Sequence, residues 1–192
     1  MLSFLDMKTR SLALFDGVLL LVIGLTGLVV LLNGLQALAD DRISEVTVGL
    51  ADSAVRAALP DDVTLQDARA LVEAEVGPGW RLLWWGVGAA MGAVVIAGAE
   101  VLREVVASAR AGDPFVAANV RRLRIVGGLA IAHALLSGAR MGVDVLLQDH
   151  LGTERAVTGN GGYQVALAVV LFAVAEIWQR GVFLRDEQEL TV

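Results

Sequence analysis

Four long apolar runs, separated by turns or strongly charged segments, set the pattern of this chain. They lie at about 12–35, 82–102, 125–148 and 162–180. Asp16 is the only charge in the first, no charge precedes Glu100 in the second, and the fourth follows the turn-forming "GNGG" at 159–162 and carries Glu176 near its end. A helix needs about 20 mostly apolar residues to cross the hydrocarbon of a bilayer. Backbone groups inside hydrocarbon must be satisfied within the segment, which makes such runs helices. The pattern predicts an all-α, integral membrane four-helix bundle, with 1–192 as a single membrane domain.

The polar stretches between the runs differ in kind. The segment 40–81 carries nine acids against Arg42, Arg56, Arg69 and Arg81. Within it, "TLQDARALVEAEVGPG" predicts a helix with Thr64 as N-cap, Asp67 three residues on, and Gly77–Pro78 as its stop. "DSAVRAAL" before Pro60 is a second short helix candidate. Together they predict a small helical cap on the outer side, a solvated surface in the plain reading and a ligand or partner site in the sharper one. The loop 103–124 predicts a helix with Asp113 as N-cap and Pro114 at its first position, running unbroken into the third span. A charged tail occupies 181–192.

Composition narrows the chemistry. The chain is 56% hydrophobic with a net charge of −6, well above the apolar share of ordinary soluble domains. It has no cysteine, which removes disulfides and thiolate sites. His133 and His150 are its two histidines, too few for a histidine metal centre. No metal and no cofactor is expected. A secretory signal is the competing reading of the first run, with Lys8 and Arg10 before it and "ALA" at 37–39 as a cleavage site, but the run exceeds the usual signal core.

Charge bias gives orientation. Lys8, Arg10, Arg103, Arg110, Arg121, Arg122, Arg124, Arg180 and Arg185 fall on one side, against Arg42, Arg56, Arg69, Arg81 and Arg155 on the other. The positive-inside rule then puts both termini in the cytoplasm and 40–81 outside, in the inner membrane of a bacterium. Trp80, Trp84 and Trp85 mark the outer interface and Trp178 the inner one.

The third run is unusual. His133, Ser137, Arg140, Asp144 and Gln148 share one helical face by their spacing, and Arg140 is in reach of Asp144. Charges in hydrocarbon need partners or water. With Asp16, Glu100 and Glu176 near the cytoplasmic ends of other spans, the stripe reads either as a polar network that fixes helix rotation or as a ligand-binding, hydrated cavity. Glu176 precedes Arg180 by four, the favourable order for an ion pair within one helix. Gly88 with Gly92 and Gly138 with Gly142 form GxxxG pairs, and Gly17, Gly24, Gly27 and Gly34 recur along the first span. These suit close packing within the chain, or a homo-oligomer.

Two segments carry a resemblance. "GDPFVAANVRRLRIVG" and "AEIWQRGVFLRDEQELTV" are similar to signature segments of the bacterial Domain of Unknown Function 2975 family of four-span membrane proteins. The matching positions are Pro114, Phe115, Asn119, Arg122, Leu123 and Arg124, then Glu176, Arg180, Gly181, Leu184, Arg185 and Glu187 to Val192. The resemblance implies a four-helix membrane protein of unestablished activity. Members of that family often lie beside genes for very small helix-turn-helix regulators, and that neighbourhood implies a regulatory partnership.

The functional expectation is a membrane-embedded regulatory or sensory protein. It sits in a lipid bilayer and engages a small cytoplasmic transcriptional regulator through Asp113, Phe115, Asn119, Arg121, Arg122, Arg124, Arg185, Glu187 and Glu189. Alternatives are a small transporter or ligand-binding protein using the stripe, and a structural subunit of a membrane complex. Three arginines beside a membrane are too small a footprint for direct nucleic-acid binding; they also suit anionic lipid. No paired-carboxylate, HExxH, P-loop or GxSxG signature is present, so no enzyme is expected. The tail acids Asp186, Glu187 and Glu189 are expected to meet Arg121, Arg122 and Arg124.

Overall fold

A computed structural model describes residues 2–39, 42–49, 69–151 and 162–190, with side chains described for 11–39, 76–150 and 162–188. Four helices dominate: α1 (Leu2–Ala39), α2 (Pro78–Arg110), α3 (Ala117–Leu151) and α4 (Gly162–Leu190). Each is long and apolar enough to cross a membrane, so the chain is a multi-pass membrane protein built as a four-helix bundle. Each helix packs against its neighbour in sequence, and among the described residues α1 and α4 make no extended contact. The two ends of the bundle are therefore distinct. At the loop end, 111–116 joins α2 to α3; at the strand end, β1 and β2 stand between α1 and α2.

Small residues at sevenfold spacing line the seams. Gly92, Ala99 and Val106 are buried on α2, and Ala168, Ala175 and Val182 on α4. A heptad repeat keeps one narrow face toward a partner, and small side chains let helices approach in lipid, where packing replaces hydrophobic drive. Leu19 of α1 meets Ala99 and Val106 in one cluster, flanked by Leu12, Ile23 and Leu102. Most large apolar side chains of α1 point away from the bundle, Leu14, Leu21, Leu31 and Leu38 among them.

The glycine pairs divide. A Cβ on Gly92 would lie 2.5 Å from Val30 Cγ2, and one on Gly34 would lie 2.8 Å from Trp85 Nε1. These two glycines hold α1 against α2, where Trp85 Nε1 also donates to the Val30 carbonyl at 3.2 Å. Gly127 gives room to the Phe172 ring in the same way. Gly17, Gly24, Gly27, Gly138 and Gly142 face open space. The second GxxxG pair and most of the α1 glycines thus do not pack within the chain.

The segment between α1 and α2 corrects the expectation of a helical cap. Its described parts, β1 (Arg42–Gly49) and β2 (Arg69–Glu75), form a two-stranded antiparallel ladder. The register pairs Ile43 with Ala74, Val46 with Val72 and Val48 with Ala70, with an irregularity between Ile43 and Val46. That extra residue brings apolar positions spaced three and two on β1 opposite positions spaced two and two on β2. The alternation Ala70, Val72, Ala74, paired with a β-branched neighbour, outweighs the imperfect helical stripe. Gly77–Pro78 is not a stop but a start: Gly77 is extended and Pro78 opens α2, where a missing N–H costs nothing. Thr64, Asp67, the "DSAVRAAL" segment and 159–161 lie outside the described residues.

Gly92→Leu should destabilise the bundle by about 1–3 kcal/mol through overpacking against Val30, and Val30→Ala should recover part of the loss. Gly138→Leu, with open space, should stay within about 0.5 kcal/mol. Thermal unfolding in detergent separates the two; equal losses would mean that Gly92 is not the α1–α2 contact point.

Candidate functional site: a loop lock and two charge layers

The loop between α2 and α3 is built by backbone geometry first. Gly112 adopts φ +89°, its N–H donates to the Ala109 carbonyl at 3.3 Å and that of Asp113 to Ser108 at 3.2 Å. This is the Schellman termination, which needs a residue without a Cβ penalty at the left-handed position. Asp113 therefore belongs to the end of α2 and is not the N-cap of α3, which starts at Ala117. From Ala117 that helix does run unbroken into the third span.

The turn is then tied down from three sides. Asn119, fully buried, donates from Nδ2 to the Pro114 carbonyl at 2.8 Å and to Ser108 Oγ. Trp178 Nε1 of α4 donates to the same carbonyl at 2.9 Å. The Phe115 ring lies 5.2 Å from the Trp178 ring and against Gly181, where a Cβ would come within 3.2 Å of it. Arg185 of α4 closes the outer rim on Asp113 at 2.8 Å and also meets Asp186 at 3.0 Å.

Further ion pairs surround this lock. Arg122 Nε meets Glu104 at 2.8 Å, and its Nη1 donates to Asn119 Oδ1 at 2.9 Å. Arg124 donates to Gln179 at 2.6 Å and lies 3.4 Å from Glu176. Asp16 of α1 receives Arg103 at 2.9 Å and Arg110 at 3.1 Å, and Arg103 also holds Glu100 at 3.0 Å. The expected pairing is thus reversed in sign. Arg122 and Arg124 are engaged by Glu104 and Glu176, not by the tail acids, and the tail reaches the loop through an arginine. Glu176 turns to Arg124 on α3 rather than to Arg180 on its own helix. Arg121 is exposed at a groove that Asp186 also lines. Glu187 is exposed, and the Glu189 side chain lies outside the described residues.

A second layer sits at the strand end. The Arg140 guanidinium lies 3.5 Å above the Trp84 ring, donates to the Trp84 carbonyl at 3.3 Å and is 3.5 Å from Asp144. Trp84 Nε1 donates to Asp144 at 3.1 Å. Gly88 is the floor of this arrangement, since a Cβ there would lie 3.3 Å from Arg140 Nη1. Gln148 is fully buried one turn further on, and the His150 ring lies 5.6 Å from Trp80. Arg124 and Asp144 are separated by about 30 Å of helix, as are Arg103 and Trp84 to within a residue or so. That is one hydrocarbon thickness. Arg140 lies one turn inside the level of Asp144, and His133 and Ser137, both half-buried, lie between it and Arg124.

His133 lines a cavity of about 360 Å³ to which all four helices contribute, including Leu19, Val22, Gly98, Ala130, Gln164 and Leu171. Among the described residues, its Nδ1 is buried with no hydrogen-bond partner. The sequence reading missed Arg103, Arg110, Glu104, Ser108 and Trp178 as partners. Their contacts join residues far apart in the chain, and helical spacing carries no signal of them.

Residues 102–192 match the family model described as Protein of unknown function (DUF2975). The likeness drawn from two short segments therefore extends from the last turns of α2 through α3 and α4, the stretch that supplies the whole lock. No curated protein and no solved structure matches the chain.

Arg140→Leu should destabilise the protein by about 1–3 kcal/mol, because Asp144 keeps only the Trp84 N–H; the site is partly exposed, so the fully buried figure is discounted. Adding Asp144→Leu should recover part of that loss. A double-mutant cycle read by thermal unfolding decides; strictly additive losses would show that the two groups do not interact.

Proposed function

We propose that this DUF2975-like membrane protein is a regulatory or sensory anchor that holds a small cytoplasmic partner at the loop end of its bundle. The observation that supports this is the projection of α4 past the Arg124–Glu176 pair. From Glu176 to Leu190 the helix runs about 21 Å further, and Phe183 and Leu184 on it are exposed. An apolar face on a helix outside hydrocarbon is covered by a surface or by a partner. The lock fixes the angle at which α4 leaves the bundle. The family resemblance points to a helix-turn-helix regulator as the partner. That regulator would read DNA itself, so this chain need not touch nucleic acid. No reaction is assigned to it. A second reading, binding of a lipid-soluble ligand, is favoured by the His133 cavity.

The partner reading requires the loop end to be cytoplasmic. The excess of basic residues at that end supports an inner-membrane protein with both termini inside. Reporter fusions at residues 60 and 113 should then report opposite sides, with 113 cytoplasmic; a periplasmic 113 would invert the proposal.

Deleting 186–192 leaves Arg185 on Asp113 and the rest of the lock intact. The truncated protein should stay in the membrane with an unchanged unfolding temperature while losing co-purification of the regulator. Disappearance of the truncated protein from the membrane would instead make the tail a stability element.

A further inference from the structure

We infer that the cavity beside His133 is a binding site for a neutral, lipid-soluble carbonyl compound of the quinone class, a site that needs no partner docked at the tail. The cavity touches α1 at Leu19 and Val22, α2 from Val94 to Leu102, α3 from Val126 to His133, and α4 from Tyr163 to Leu171. Among the described residues α1 and α4 make no extended contact, and the cavity is lined by both. At about 360 Å³ it lies in the range of ligand pockets, which are mostly apolar with a few placed polar groups.

The polar group here is the imidazole. Nδ1 of His133 is buried and has no partner among the described residues. A proton on it would be a buried donor with no acceptor, which costs about 1–3 kcal/mol. Nε2 is not among the buried unpartnered atoms, and with the proton on it the site offers a hydrogen-bond donor. Tyr163 and Gln164 on the α4 edge already have partners of their own. The matching ligand group is an acceptor, and a neutral one, because an anion in hydrocarbon would need more than one imidazole N–H.

Depth selects among neutral acceptors. Along α3, His133 is about 14 Å from Arg124 and about 17 Å from Asp144, near the middle of the bilayer. The ester carbonyls of phospholipids lie at the edge of the hydrocarbon, roughly 15 Å from its centre, and an acyl chain entering this cavity would bring only methylenes to the imidazole. A ring carbonyl on a molecule that partitions wholly into the hydrocarbon reaches it. Gly98 and Ala130, two small residues of the lining, leave room for a flat ring beside the imidazole.

The test uses the full chain in detergent with decylubiquinone as probe and dodecane as the carbonyl-free control. Histidine-selective ¹⁵N NMR is simple here, since His133 and His150 are the two histidines. Decylubiquinone should shift the Nε2 resonance of His133 and leave that of His150 in place. It should also raise the unfolding temperature, with equal affinity in the chain truncated after Arg185. His133→Leu should weaken binding about five- to tenfold, the value of one neutral hydrogen bond, and Ala130→Phe, which fills the cavity, should abolish it. No shift at saturating probe overturns the inference. So does dodecane protecting the protein as well as the quinone, which would leave a groove for acyl chains only. Loss of partner binding on truncation bears on the tail alone and leaves this result untouched.

Discussion

A charged side chain that lies against hydrocarbon has to be met there by another polar group, and in this bundle the partner usually comes from a different helix. Asp16 on α1 is held by Arg103 and Arg110 on α2, Glu104 on α2 by Arg122 on α3, and Arg124 on α3 by Glu176 and Gln179 on α4. Read in chain order, these contacts join α1 to α2, α2 to α3 and α3 to α4, the same sequence in which the helices pack. Helices in lipid gain little from hydrophobic drive, so such pairs set rotation and register while the small-residue seams set distance. At the strand end the same demand is met with an aromatic ring: Trp84 gives Arg140 its π face and its carbonyl, and gives Asp144 its N–H.

The Pro114 carbonyl is the point where loop and tail are tied together. It accepts from Asn119 and from Trp178, so one backbone oxygen serves α3 and α4 at once. Phe115 packs tightly on Gly181, where a Cβ would come within 3.2 Å of its ring, and Arg185 reaches Asp113 one helical turn further along α4. Pro114, Phe115, Asn119, Gly181 and Arg185 are all positions of the family-like segments. Their contacts give those segments a physical meaning that does not require a partner: they hold a turn shut. What is left over for an external partner is the face beyond the lock, at Phe183 and Leu184.

Much of this was legible in the sequence because hydrocarbon imposes a length and an apolar content that single helices display. The four spans, the Trp positions and the Arg140–Asp144 spacing follow from local pattern. The strands did not, since Ala70, Val72 and Ala74 satisfy a helical stripe nearly as well as an alternation until a partner strand is known. Asp113–Pro114 reads as a helix start by composition, yet Gly112 at positive φ had already ended α2 in a way that recruits Asp113. The loop–tail contact was anticipated, but with its charges reversed, because spacing along a helix gives depth and not azimuth. Arg122 and Arg124 are at the right level to meet acids, and Glu104 and Glu176 are nearer.

α4 is the element that the cavity and the lock share. Leu167 and Leu171 line the cavity that His133 borders, and the same helix carries Trp178, Gly181 and Arg185 into the lock. It is held along α3 and, among the described residues, makes no extended contact with α1. Packed interfaces of this kind move in small steps rather than deforming continuously. A molecule seated between α1 and α4 bears on the least supported face of α4. Any tilt or rotation it imposes there is transmitted by the intact backbone hydrogen bonds of one rod to Phe183 and Leu184. The lock is then the part that resists, and its contacts on the Pro114 carbonyl and Asp113 set how far the tail can turn.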